Sequence, residues 1–512
     1  MNRRAVGWLL GRVILLLAAL ELVPALVAAG YREPRALQGC LLAALTCALI
    51  GGALAFVFRG ASLTKEGRPD YFRREGLAAV GLAWFAAAAL GALPFLFAGT
   101  LGSFADAFFE SSSGFTTTGS TVLSAAAIDA LPHAIAFWRA FSHWLGGIGI
   151  LLVFVLLFPA GGRSLFRSAV SGVSREAARA RVRDSVLGLL RVYAFLTAAH
   201  VVALYALTRD LFDSVLHAFS TLATGGFSSH GTSAAFYGSW KVELVLVVFM
   251  LLAGVNFDVY DSVQRHGLRA GWRAFTRSSE IRTYLGLVGG TTLVIALVLW
   301  FWGGANGAPG GPLPDYSHLT HCLRDSVFAV TSLATCTGYV SANFDLWPDA
   351  CRLLLVLVTA VGACAGSTGG GLKVVRLVVL WKAVRQALAR FARPRAIEPV
   401  RLDGVVLDDE TVQGVLAHVG LWLVVVAAST VAVVALGFRS PLGFADQHLL
   451  SAFTGVISSL SNCGPGLAAV GPFADYGFLP AASKLLLGGL MLLGRLEFAA
   501  VVVLFVPRFW RG

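Results

Sequence analysis

Thr117-Thr118-Gly119-Ser120, Thr224-Gly225-Gly226-Phe227, Cys336-Thr337-Gly338-Tyr339 and Asn462-Cys463-Gly464-Pro465 are four short glycine-bearing segments of one chain. Each follows a short, moderately polar stretch, and each sits between two long apolar runs. Gly119, Gly226, Gly338 and Gly464 recur at intervals of about 110 to 125 residues, a self-similarity that marks an internally repeated architecture. Asp106, Asp213 and Asp325 each lie 13 residues before Gly119, Gly226 and Gly338. That spacing assigns the pivot of the second unit to Gly226, so Gly225 is expected to tolerate serine. The fourth unit departs, with Ser451 at that spacing and Asp446 further upstream.

The surrounding composition places these segments in a bilayer. Of 512 residues 57% are hydrophobic and 13% charged, against roughly 25% charged in a soluble domain. Apolar runs of about 20 residues recur, the length that crosses a hydrocarbon core. The first run, from Trp8, follows Met1-Asn2-Arg3-Arg4; a second follows at once from Leu37, so both are expected to be retained spans rather than a cleaved signal. Ten spans are expected, near 8–30, 37–58, 77–98, 134–158, 186–208, 238–258, 281–303, 350–390 (interrupted), 412–437 and 479–506. The chain then divides into 1–75, a two-helix segment with its loop, and four repeats at 76–185, 186–280, 281–405 and 406–512.

The net charge of +12 suggests a nucleic-acid partner until its distribution is examined. Six arginines fall at 163, 167, 175, 179, 181 and 183, five at 265, 269, 273, 277 and 282, and a further basic run spans 373–401. Between Glu75 and Trp138 there is no Lys or Arg. This alternation is the positive-inside pattern. It puts the loops at 59–74, 160–185, 260–282 and 373–401 in the cytoplasm with both termini, and the four glycine segments outside. The basic loops suit anionic lipid headgroups; no nucleic-acid partner is expected.

The stretches Phe104–Gly114, Leu211–Leu222, Cys322–Ala334 and Gln447–Ser461 are too short to span. Irregular backbone at this depth survives only where protein buries it or it lines water. As helices, their C-terminal ends lead into the glycine segments, and the partial negative charge there favours a cation. Asp106, Glu110, Asp213 and Asp325 are expected to add outward-facing acid. A dehydrated monovalent cation needs rings of carbonyl oxygens, and glycine at the pivot frees the backbone to supply them. Thr118 and Thr337 precede the pivot and are expected to brace it; Gly225 and Cys463 take that place in the other units. The expected ion-contacting set is Thr117, Thr118, Gly119, Thr224, Gly225, Gly226, Cys336, Thr337, Gly338, Asn462, Cys463 and Gly464, a ring fourfold only in approximation.

Beyond the four segments, the chain carries Trp138-Arg139, Trp144-Leu145-Gly146-Gly147-Ile148-Gly149, Gly366-Ser367-Thr368-Gly369-Gly370-Gly371-Leu372-Lys373 and Gly494-Arg495-Leu496-Glu497. With Ser113-Gly114-Phe115 before the first segment, this set resembles the potassium-translocating, TrkH-like subunit of the Trk/Ktr/HKT cation transporter superfamily, over nearly the whole chain. The two extra N-terminal spans favour that branch over the Ktr branch. The resemblance implies an all-α membrane protein with helix–pore loop–helix repeats in pseudo-fourfold array around one pore. Potassium is then the transported ion, with no bound organic cofactor. It also implies a homodimer and a TrkA-like cytosolic nucleotide-binding regulatory subunit.

Two further roles follow from the resemblance. Gly366, Ser367, Thr368, Gly369, Gly370 and Gly371 interrupt an apolar span; consecutive glycines break a helix, and in relatives this place forms an intramembrane gate. No Gly-Lys-Ser/Thr ending is present, so a phosphate loop is excluded. Arg495 lies in the last apolar run, where a charge is costly and faces a cavity or partner; the resemblance points it into the pore. A salt bridge to another helix is the alternative, and Glu497, two residues on, shares no helix face with it.

Other signals read as structural. The seven cysteines match no zinc or redox spacing and fit buried small hydrophobes. His133, His143, His200, His217, His230, His318, His321, His418 and His448 show no metal spacing. Lys484 fits a snorkelling side chain, and Trp138, Trp144 and Trp240 fit interface anchors. An alternating-access carrier is the competing transport class, disfavoured by four parallel units with all loops on one face. Coupling to protons or sodium stays open. A membrane enzyme would need clustered acids, bases or metal ligands, and no such motif is present.

Overall fold

The computed structural model describes residues 2–59, 69–157, 175–305, 316–392, 399–439, 441–444 and 446–511. Most of the basic loops at 59–74 and 160–185, and part of that at 373–401, lie outside the described residues. An N-terminal pair, α1 (Arg3–Gly30) and α2 (Pro34–Val57), precedes four units of like order. The first is α3 (Pro69–Leu90), α4 (Phe104–Phe115) and α5 (His133–Leu157). The second is α6 (Arg175–Thr208), α7 (Leu211–Leu222) and α8 (Trp240–Gly254), followed by α9 (Phe257–His266) and α10 (Leu268–Arg277). The third is α11 (Ser279–Ala305), α12 (Leu319–Ala334), α13 (Asp349–Val361) and α14 (Val374–Ala392). The fourth is α15 (Asp409–Ala435), α16 (His448–Ser461) and α17 (Ala481–Arg495).

The element starts follow local chemistry. Asn2 caps α1 by accepting from the Ala5 N–H at 3.1 Å, and Pro34 opens α2, where its missing N–H costs nothing. Ser103 and Asp210 cap the short helices α4 and α7 through the amides of Ala105 and Asp213, at 3.2 and 3.0 Å. A two-residue hairpin, β1 (Arg401–Leu402) with β2 (Val405–Val406), is the only sheet among the described residues. Asp403 and Gly404 turn it with positive φ, and the Asp403 carboxylate accepts from the Ser279 N–H at 2.8 Å.

Six helical stretches among the described residues are long and apolar enough to cross a membrane: Arg3–Gly30, Pro34–Val57, Glu75–Phe97, Val186–Thr208, Ser279–Phe301 and Asp409–Ala435. Together they make a multi-pass, all-α membrane protein. The eighth expected span is interrupted as anticipated, with irregular backbone between Val361 and Val374. Two other expected spans are corrected. The span at 238–258 stops at Gly254, and the chain turns by 84° into α9, because Asn256 caps that helix through the Asp258 amide at 2.8 Å. The span at 479–506 stops at Arg495, after which Glu497 and Phe498 adopt positive φ. Arg495 therefore ends a helix instead of lying within one.

The apolar core is assembled around the short helices. One cluster joins α1, α2, α3 and α5 through Ile14, Cys40, Trp84, Phe95 and Trp138. Gly11 and Gly51 let the backbones of α1 and α2 approach, since a Cβ at Gly11 would stand 2.6 Å from the Ala55 nitrogen. All seven cysteines are buried and none forms a disulfide. Trp138 is also fully buried, donating from its indole N–H to the Gly91 carbonyl at 3.0 Å, and Trp144 donates to Thr197 Oγ1 at 3.2 Å. Trp138 packs inside the protein and is not an interface anchor; Trp144 is half-buried. Trp240 is exposed.

Candidate functional site

Each short helix ends in the same way. The N–H groups of Thr118, Gly225, Thr337 and Cys463 donate back to the carbonyls of Ser113, Ser220, Ser332 and Ser458, at 2.8, 2.7, 2.8 and 3.0 Å. The preceding amides, of Thr117, Thr224, Cys336 and Asn462, donate to Gly114, Thr221, Leu333 and Ser459. This paired pattern is a Schellman cap, which requires left-handed backbone at the residue after the cap. Thr117, Thr224, Cys336 and Asn462 accordingly have φ of 53°, 56°, 56° and 53°. Four non-glycine residues in that region at equivalent places mark one motif used four times. The serines six residues before each pivot were a visible signal of it, as regular in spacing as the aspartates.

Two residues after each left-handed residue comes the pivot. Gly119, Gly226, Gly338 and Gly464 have φ of 85°, 79°, 84° and 98°, while Gly225 is not among the positive-φ residues. Gly226 is therefore the second pivot, as the aspartate spacing assigns. The pivots also close a ring. A Cβ at Gly119 would collide with the Gly225 carbonyl oxygen, one at Gly226 with that of Thr337, and one at Gly338 with that of Cys463. The circuit completes at Gly464, where a Cβ would stand 2.9 Å from the Thr118 carbonyl oxygen. Each pivot thus abuts the carbonyl preceding the next pivot, in chain order. All four line one cavity, which also includes Arg139, Ser228, His230 and Tyr476.

The ring is uneven. Thr118 and Thr337 are braced as expected: their hydroxyls lie 2.7 Å from those of Thr116 and Thr335. Asn462 Nδ2 donates to Thr118 Oγ1 at 3.0 Å and to the Met491 carbonyl at 2.8 Å, joining the first and fourth segments. The Gly464 carbonyl accepts from Ser458 Oγ at 2.7 Å, Ser120 Oγ at 2.8 Å and Tyr476 Oη at 3.1 Å. Three donors hold that oxygen, so the fourth pivot contributes differently from the others. Gly225 is not tolerant of serine as its spacing suggested: a Cβ there would overlap the His143 ring, which stacks on Phe227 at 4.2 Å.

The acids expected to face outward are largely engaged. Glu110 is fully buried and pairs with Arg139 at 2.8 Å. Asp213 is bonded to Ser229 and Tyr237 and paired with His217 and His230 at 3.1 and 3.3 Å. Asp325 accepts from Tyr316 Oη at 3.1 Å. Asp106 pairs with Lys484, which also donates to the Gly477 carbonyl at 2.8 Å. Lys484 is a buried ion-pair partner and does not snorkel. No group of three or more metal-ligating side chains occurs among the described residues.

On the other side of the ring lies the glycine-rich loop. Gly362, Gly366, Gly371 and the non-glycine Lys373 all have positive φ, near 73°, 71°, 76° and 76°. Thr368 Oγ1 donates to the Leu222 carbonyl at 3.0 Å, at the end of α7. A Cβ at Gly369 would stand 2.8 Å from the Thr335 oxygen, and one at Gly370 would overlap the Ser461 oxygen. The loop thus packs against the ends of α7, α12 and α16. Phe257 and Cys364 fix it to the break after α8, through the Gly366 and Gly254 carbonyls at 3.0 and 3.1 Å. Ser367 Oγ donates to the Cys364 carbonyl at 2.6 Å. Arg495 completes the layer: Nη1 donates to the Thr368 carbonyl at 2.6 Å and Nη2 to the Gly146 carbonyl of α5 at 3.3 Å.

Comparison with known proteins follows this geometry. Residues 46–511 match the TrkH family, described as cation transport protein. The chain is 33% identical to the Trk system potassium uptake protein TrkH of Escherichia coli K12, across all of both chains. It is 27% identical to TrkG of the same organism, over 97% of this chain and 96% of that one. The crystal structure of the potassium transporter TrkH from Vibrio parahaemolyticus superposes with a TM-score of 0.86, at 30% identity and full coverage of both chains.

Proposed function

The chain belongs to the TrkH cation transport family, and we propose that it takes up potassium across a cell membrane through the ring formed by its four glycine segments. The observation that carries this reading is the closed circuit of pivots and carbonyls: Gly119 against Gly225, Gly226 against Thr337, Gly338 against Cys463 and Gly464 against Thr118. A ring with no room for a Cβ, reached through one cavity, suits an ion that exchanges water for carbonyl oxygen. The four helix C-termini at the ring add partial negative charge. The proteins it resembles are named as potassium uptake proteins and transporters, not enzymes.

The glycine-rich loop and Arg495 act as the gate in this proposal. A buried guanidinium bonded to carbonyls, close under the ring, opposes a cation until loop and arginine move together. Exposed Leu268 and Trp272 alternate on α10 with Arg269, Arg273 and Arg277, a composition that supports a cytoplasmic helix lying on anionic lipid. Assembly as a homodimer, and control by a cytosolic nucleotide-binding subunit, extend the same proposal. The test is potassium or rubidium flux into liposomes holding the purified protein, with sodium as competitor. Potassium flux that sodium fails to suppress is expected; equal sodium flux sinks the selective reading.

A further inference from the structure

Glu110 lies nine residues before the first pivot and His217 nine before the second. Each reaches the residue two beyond its own pivot. Thr121 Oγ1 donates to both Glu110 oxygens at 3.0 Å, and the Val122 N–H to Oε2 at 3.1 Å. His217 Nε2 lies 3.0 Å from Ser228 Oγ. In the third and fourth units the matching pairs are Ala329 with Val340 and Gly455 with Gly466, which offer no side-chain hydrogen bond. The polar brace is therefore built on the first two units alone.

Arg139 of α5 joins the two. Its Nε meets Glu110 Oε1 at 2.8 Å, Nη2 reaches Thr121 Oγ1 at 3.4 Å, and Nη1 donates to the Ser228 carbonyl at 3.3 Å. The guanidinium lies over the Phe227 ring, 4.1 Å from its centroid. The network continues to the other segments. The His217 carbonyl accepts from Tyr339 Oη at 3.2 Å, and the Thr121 carbonyl accepts from the Tyr476 N–H at 2.8 Å. One buried pair thus contacts the segments leaving two pivots directly, and reaches the other two through two intermediaries each: Ser228 and His217 to Tyr339, and Thr121 and Tyr476 to the Gly464 carbonyl.

We propose that the Arg139–Glu110 pair is the positioning element that sets potassium-over-sodium discrimination at the ring. This rests on the potassium reading above. Burying two charges is expensive, and such a pair is weak evidence for stability; what this one does uniquely is hold ring spacing. A potassium site differs from a sodium site in how far its oxygens are held apart, and the forked guanidinium bridges the two segments whose pivots are neighbours. Glu110 also cancels a positive charge that lines the cavity through which a cation would approach.

The test uses the full chain in liposomes, reading the potassium-to-sodium flux ratio together with thermal unfolding. Arg139→Lys keeps the charge but not the fork. It is expected to conduct with a ratio lowered about tenfold, equivalent to ~1.4 kcal/mol of discrimination. Glu110→Gln is expected to lower the ratio and potassium entry together. Thr121→Val leaves the ion pair and the Val122 amide bond to Glu110 intact and removes the hydroxyl contacts of the pair with the first segment; a lower ratio is expected, restored in Thr121→Ser. An unchanged ratio in conducting Arg139→Lys and Thr121→Val protein overturns the proposal. If the charge variants do not fold, Thr121→Val against Thr121→Ser decides it alone. A wild-type protein that conducts without discriminating overturns the functional reading first, and this proposal with it.

Discussion

Arg495 Nη1 donates to the carbonyl of Thr368 at 2.6 Å, across 127 residues of sequence. The guanidinium is 3% exposed and carries no carboxylate partner among the described ion pairs, while Glu497 pairs with Arg376. Its second bond, to the Gly146 carbonyl, places it between the first unit and the glycine-rich loop of the third. The salt-bridge alternative raised by the sequence is therefore not what the structure contains. In the proposed gate, this positive charge held by carbonyls opposes cations without a paired acid.

Arg495→Ala is expected to raise potassium flux. A unit charge roughly 8 Å from a transiting ion is worth about 2 kcal/mol at an effective dielectric of ~20, so a gain of at least tenfold is expected. Arg495→Lys should stay close to wild type, because it keeps the charge. Liposome flux at matched protein loading measures both; Arg495→Ala at wild-type flux removes the arginine from the barrier.

Alanine at the pivots is expected to follow the ring's own unevenness. All four pivots have positive φ, so alanine adds roughly 1–2 kcal/mol of backbone strain at each; at Gly119, Gly226 and Gly338 a methyl group also collides with the neighbouring carbonyl. At Gly464 the nearest oxygen is 2.9 Å away and the backbone carbonyl is already held by three hydroxyls. Gly464→Ala should therefore retain more selective flux than the other three. Equal loss at all four would contradict the uneven ring.

Gly225 separates two reasons for being glycine. Its backbone needs no left-handed φ, yet a Cβ would strike His143. Gly225→Ala should lose flux, and His143→Ala in the same chain should restore a substantial part of it. The matching pair Gly226→Ala with His143→Ala should show no rescue. Flux from the two double variants reads the difference directly.

Much of this arrangement was legible because it is periodic. The four pivots, the short helices before them and the broken eighth span all announce themselves by spacing or by runs of glycine. The serines at 113, 220, 332 and 458 were equally periodic, but their meaning appears only when the backbone carbonyls of those residues are seen to accept the cap bonds. What spacing does not carry is contact between units. Lys484 and Asp106 are 378 residues apart, and the ring closure from Gly464 to Thr118 joins the first and fourth units. The breaks after Gly254 and Arg495 were hidden because apolar residues continue on both sides of the polar ones, Val255 and Phe257 around Asn256 and Leu496 and Phe498 around Glu497.

Arg376 and Glu497 supply the last prediction. Arg376 stands at the start of α14, just past the glycine-rich loop, and bonds both the Leu372 carbonyl and the Glu497 carboxylate. Glu497 lies in the left-handed turn that follows Arg495. The pair thus ties the far end of the loop to the backbone that carries the arginine, so loop and charge are expected to move as one. Glu497→Gln should loosen that tie and raise flux in the same direction as Arg495→Ala. If both act on one barrier, the double variant should gain much less than the product of the single gains, since residues in one network are not additive. Multiplicative gains in the four-way flux comparison would show that the two sites act separately, and that the tie plays no part in holding the loop closed.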